Sequence, residues 1–117
     1  MSDFQTIQQA LRRFTDERDW AQFHSPKNLA MALAGETGEL VANFQWLTEA
    51  QSAAPDAATK QAIREEIADV QMYLLLLADK LDIDVAQAVA EKMEMNARKY
   101  PAPEFSGSAR KYDRPAD

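Results

Sequence analysis

The chain has 117 residues, 46% of them hydrophobic and 27% charged, with a formal net charge of -6. This length fits one soluble domain spanning 1–117, and the acidic balance disfavours nucleic acid or an anionic membrane as partner. The absence of cysteine excludes disulfides and thiolate metal sites. No cationic stretch followed by an apolar run marks a secretory signal, and "MYLLLLA" is too short to span a bilayer. A cytoplasmic location is therefore expected.

The apolar spacing is helical throughout, without strand alternation. The first helix is expected over residues 3–18. Ser2 and Gln5 have capping-box spacing, and Phe4, Ile7, Leu11 and Phe14 form a stripe. An aromatic connection, "DWAQFHSP", follows. Ser25 as N-cap with Pro26 at the first helical position starts a second helix over 26–48. The small polar run "EAQSAAPDAA" predicts a mobile loop. A third helix is expected from 56 or 57 to 81. Asp84 and Gln87 open a fourth, to about residue 99, where Pro101 and Pro103 end it. From about 101 the chain reads as an irregular basic tail. The sum is an all-α four-helix bundle.

The helix faces raise a question about charge. Successive residues turn by about 100°, so Glu36 falls inside the Leu29, Leu33, Leu40, Phe44 and Leu47 stripe, with Glu39 about 60° to its side. On the third helix, Ile63, Ile67, Val70, Leu74 and Leu77 form the stripe. Glu66 borders it, Asp69 lies about 60° further out, and Glu65 points to the opposite face. Two acidic pairs therefore converge if the stripes face each other.

Buried carboxylates need either cationic side chains or a metal ion. Arg64, the obvious partner for an internal salt-bridge network, points elsewhere. An all-oxygen cluster favours a hard cation, Mg²⁺ or alternatively Mn²⁺. The lone histidine, His24, does not supply the Glu-x-x-His motifs of a ferritin-like di-iron site.

On the fourth helix, Lys92 and Asn96 share a line with Val85 and Val89, which suits Lys92 to phosphate oxygens or to simple snorkelling. Arg110 and Lys111 are further phosphate candidates, though tail charges are commonly just solvated. Trp20, His24, Trp46 and Tyr73 are candidates for a base-stacking pocket, against the alternative of ordinary core packing. Gly35 and Gly38 flank the glutamates. They are expected to admit another helix or substrate phosphates close to the backbone.

The segments "GETGEL", "FQW", "EEIADV", "KMEMNARKYP" and "GSARKY" resemble the all-α nucleoside triphosphate pyrophosphohydrolases of the MazG-like superfamily. "ERDWAQFHSPKNL" and the tail make the dCTP pyrophosphatase group the most similar. The resemblance implies that Glu36, Glu39, Glu66 and Asp69 are the Mg²⁺ ligands and catalytic carboxylates. It implies cleavage of a (deoxy)nucleoside triphosphate, dCTP or a modified dCTP, to the monophosphate and pyrophosphate. It places Trp20, His24, Trp46 and Tyr73 on the nucleoside and Lys92 and Asn96 on the phosphates. It also implies a homodimer or a dimer-of-dimers homotetramer with sites between subunits. Leu11 departs from the pattern, standing where some relatives carry a polar substrate-holding residue, so base preference stays open. Glu39, at the stripe's edge, is the candidate to activate water. The competing readings are a non-catalytic nucleotide-sensing module that keeps the metal cluster and a structural oligomer with acidic patches.

Overall fold

A computed structural model describes residues 1–115. The described residues contain helices and no strand. They divide into two compact units, the first Met1–Ile83 and the second beginning at Asp84.

The first unit carries α1 (Asp3–Glu17), a single 3₁₀ turn (Ala21–Phe23), α2 (Pro26–Ala42), α3 (Glu49–Ala53) and α4 (Ala57–Lys80). Local chemistry sets these boundaries. Ser2 and Gln5 form the expected capping box on α1. Ser25 caps α2 through the Asn28 amide, with Pro26 in the first turn. Asp56 caps α4, and the Thr59 amide it accepts holds its carboxyl below the usual range. The long α4 packs against α2 and also against α1. Leu29 of α2 and Leu75 of α4 are the fully buried side chains of this core.

α1 does not bury the stripe expected of it. Gln8 and Thr15 are its buried residues, whereas Ile7 and Phe14 are exposed. Tertiary hydrogen bonding explains the change: Gln8 Nε2 donates to the Leu75 carbonyl at 3.0 Å, which makes a polar residue affordable in the core. Arg12 adds a second tie to α4, its Nε donating to Asp79 Oδ2 at 2.6 Å, and holds the Asp79 carboxyl below the usual range.

Two further expectations are corrected. The second helix stops at Ala42, and residues 43–47 continue as turns that keep Phe44 and Leu47 half-buried. The link expected to be a mobile loop contains α3, opened by a full capping box between Thr48 and Gln51.

α1 and α4 end alike, each with an aspartate in the left-handed region: Asp19 at φ 53° and Asp82 at φ 53°. At the end of α1, the Trp20 amide donates to the Thr15 carbonyl at 2.9 Å and the Asp19 amide to the Asp16 carbonyl at 3.1 Å. This is a Schellman motif with Asp where glycine is usual. The Ile83 amide repeats it on the Ala78 carbonyl at 2.9 Å.

The second unit carries α5 (Val85–Lys99), capped by Asp84, and α6 (Ala102–Phe105). The expected irregular tail is thus partly helical, and Tyr100 packs edge-on against both Phe105 and Tyr112. The last two residues of that tail, 116 and 117, lie outside the described residues.

Candidate active site

α2 and α4 bring three of the four expected carboxylates together. One oxygen each of Glu36, Glu39 and Glu66 lies within 4.8 Å of the others. Glu36 and Glu66 are half-buried and Glu39 is exposed. The Oε2 atoms of Glu36 and of Glu66 are buried with no hydrogen-bond partner. The Glu36 carboxyl is pushed up to about 7. The close approach of the Glu66 carboxylate, which a shared proton would relieve, is the largest cause, followed by burial, the nearness of Glu39, and the charges of Glu39 and Asp69.

Among the described residues, the ion pairs are Arg12 with Asp79 and Arg18 with Glu17. The carboxylate group therefore has no internal cation in the first unit's ion-pair set, which removes the salt-bridge alternative there. Two orphaned buried oxygens beside a third carboxylate form an all-oxygen donor set that can hold a hard divalent cation. Asp69 stands outside the closest trio, yet its charge reaches Glu36.

A cavity of ≈ 160 Å³ adjoins this group, and Glu36 and Asp69 line it. α4 adds Met72, Tyr73 and Leu76; α1 adds Leu11, Phe14 and Thr15; the connection adds Trp20 and His24. Three of the four expected aromatic or imidazole candidates thus share one cavity with two of the acidic residues. The Schellman motif puts Trp20 there, its ring edge-on to Phe14 with centroids 5.6 Å apart. The Asn28 side chain steadies the connection by donating to the Phe23 carbonyl at 3.0 Å.

Trp46 is placed differently from expectation. It rides on the turns after α2, not on the second helix expected over 26–48, and is 86% exposed. Lys92 and Asn96 belong to the second unit, one turn apart on α5 and both exposed. Arg110 is half-buried rather than simply solvated: its guanidinium lies 4.3 Å from the Phe105 ring centroid and donates to the Arg114 carbonyl at 2.8 Å. Lys111 is exposed.

The expectation for the glycines is corrected in part. A Cβ at Gly35 or Gly38 meets nothing within 4 Å, so no helix among the described residues crowds that face. Phe14, Thr15, Met72 and Leu76 are cavity residues that sequence reasoning missed. Phe14 belongs to the stripe expected on α1. The available signal was that Leu11, Phe14 and Thr15 share one side of α1, ahead of Trp20.

Comparisons with known proteins point to one family. The family model described as MazG-like family matches residues 32–114. Rat dCTP pyrophosphatase 1 is 45% identical over 78 residues, covering 65% of this chain and 46% of the relative. Human dCTP pyrophosphatase 1 is 44% identical over 78 residues, with the same coverage. The chain spans about half the length of the curated relatives it matches. A crystal structure of a pyrophosphatase from Archaeoglobus fulgidus superposes with a TM-score of 0.80 at 40% identity, covering 86% of this chain and 94% of that one. The family match spans most of the chain and includes all four candidate carboxylates, and the protein belongs to the MazG-like family.

Proposed function

We propose that the protein is a divalent-cation-dependent nucleoside triphosphate pyrophosphohydrolase. It converts a (deoxy)nucleoside triphosphate, dCTP or a modified dCTP, to the monophosphate and pyrophosphate, as a house-cleaning activity on the nucleotide pool. The observation that carries this reading is the meeting of three carboxylates, two with unpartnered buried oxygens, next to an aromatic cavity that Glu36 also lines. The names of the relatives support the reaction class.

In this reading Glu36, Glu39, Glu66 and Asp69 hold Mg²⁺, for which Mn²⁺ can substitute. When bound, the ion neutralises phosphate charge and so favours attack at the α,β-bridge. Glu39 is the most accessible of the trio and orients a water, accepting its proton as the water oxygen bonds to phosphorus and the bridging P–O bond breaks. Trp20, His24 and Tyr73 hold the base by stacking and polar contact. Lys92, Asn96, Arg110 and Lys111 serve the phosphates.

The whole chain acts as a single functional domain of the four-helix MazG-like type, assembled as a homodimer or dimer of dimers. Exposed apolar side chains support assembly, among them Ile67 at 55% and Met93 at 66% exposed. In an assembly, Trp46 reaches the base of a site shared between subunits. A cytoplasmic location, with neither nucleic acid nor membrane as partner, completes the proposal. No described helix is long and apolar enough to cross a membrane.

The test is a panel of dNTPs and NTPs incubated with Mg²⁺ and assayed for pyrophosphate. Release from at least one deoxynucleotide is expected. Nucleotide binding without turnover of any of them would favour the non-catalytic sensing module instead.

A further inference from the structure

We propose that Arg18 is a positioning residue for the nucleoside: it clamps the Phe14 ring and, through that ring, holds Trp20 in the cavity wall before substrate arrives. This rests on the proposed reading that the cavity takes the base. Arg18 itself lies outside the cavity lining.

Arg18 caps the end of α1, one turn after Phe14. Its guanidinium carbon lies over the Phe14 ring, 3.7 Å from the centroid. Nη1 of the same group donates to the Phe14 carbonyl at 3.0 Å. The Arg18 amide does not compete for that carbonyl, because it turns to the Thr15 carbonyl at 3.3 Å. One side chain thus grips residue 14 by its backbone and by its ring. The ring in turn meets Trp20 edge-on, with centroids 5.6 Å apart, and both aromatic residues line the cavity. Phe14 and Trp20 are each 44% exposed. Burial alone fixes neither ring, so the contacts among these three side chains set their order.

Two other roles for Arg18 are weaker. Its ion pair with Glu17 at 3.6 Å joins exposed sequence neighbours, and such pairs contribute little. A cation on this side of the molecule also attracts a triphosphate by charge alone, but that effect needs no ring and is screened by salt. The clamp does need the Phe14 ring. A cation–π contact at an exposed site corresponds to about two- to fivefold in affinity. Without it, the two rings have to be ordered when the nucleoside binds.

A double-mutant cycle tests this in wild type, Arg18→Ala, Phe14→Leu and the double variant, each checked by circular dichroism. KM and kcat are measured for dCTP with Mg²⁺, and dCMP binding is followed by tryptophan fluorescence. Arg18→Ala should raise KM and the dCMP Kd about threefold. Its kcat should stay within about twofold of wild type, as expected for lost uniform binding. In the Phe14→Leu background, removing Arg18 should change KM and Kd no further. A second readout needs no ligand. With 5-fluorotryptophan incorporated, the ¹⁹F resonance of Trp20, assigned by its absence from Trp20→Phe, should move in Arg18→Ala. Arg18→Gln must behave alike and serves if the alanine variant does not fold. An unchanged KM and Kd, an unmoved Trp20 resonance, or an equal loss in the Phe14→Leu background overturns the proposal. The last of these assigns Arg18 to charge attraction instead. If wild type hydrolyses no triphosphate, the pyrophosphohydrolase reading fails separately, and the dCMP cycle with the ¹⁹F shift decides the role of Arg18. Absence of dCMP binding as well overturns it.

Discussion

Glu36 concentrates the chemistry of the site in one side chain. Its carboxyl is raised from 4.5 to about 7 by the close approach of Glu66, by burial and by Glu39. A carboxyl with a folded pKa above its unfolded value binds a proton on folding. Its stabilising contribution is complete below about pH 4.5 and is lost as the pH rises through about 7. Metal-free wild type should therefore lose Tm relative to Glu36→Gln across that window, as read by calorimetry. On the proposed reading Mg²⁺ takes the place of that proton, so its Tm increment is larger at pH 8 than at pH 5.5, and its binding at pH 6 releases protons. An Mg²⁺ increment independent of pH would contradict this. Glu36, Glu39 and Glu66 were legible from helical phase, since charges in or beside an apolar stripe demand an explanation. Thr15 was not legible. A hydroxyl that satisfies itself on its own helix leaves no anomaly in the sequence, and only the fold shows that Thr15 lines a cavity.

Among the elements, α2 combines two glycines with two site glutamates. A methyl group at Gly38 enters open space, and the residue lacks a positive φ. Gly38→Ala should therefore stabilise the protein by ~0.5–1 kcal/mol in urea titration, through helix propensity. A loss of stability would show that something outside this chain's described residues approaches the glycine, as a partner subunit or the substrate would. The N-terminal boundaries of α1, α2 and α5 were legible because side-chain caps are local chemistry. The end of α2 was not, since Phe44 and Leu47 keep an apolar spacing through the turns of residues 43–47 and imitate a longer helix. The capping pair Thr48 and Gln51 did announce α3, but a run rich in Ala, Ser and Pro outweighed it. The Schellman ends escaped notice because aspartate holds the position that glycine usually marks.

At the scale of the whole molecule, the exposed apolar side chains bear on assembly. Trp46, Ile67 and Met93 are large residues held in water in the single chain. The shared-site proposal accordingly predicts a dimer or tetramer by sedimentation at micromolar concentration, and a monomer would contradict it. The all-helical character was legible from periodicity, and family membership from an ordered set of short segments. Exposure is harder to read, because an exposed apolar residue has the same helical spacing as one in the core, as Ile67 illustrates.

The central claim is that the α2 and α4 carboxylates form a cation-dependent site for cleaving triphosphates. Its most direct test is pyrophosphate release from dCTP with Mg²⁺, measured side by side for wild type, Glu36→Gln and Glu65→Gln. The account predicts release by wild type, a loss of at least about 100-fold in Glu36→Gln with helical circular dichroism unchanged, and near-wild-type release by Glu65→Gln. Equal damage from the two substitutions, or an undiminished rate in Glu36→Gln, would contradict it.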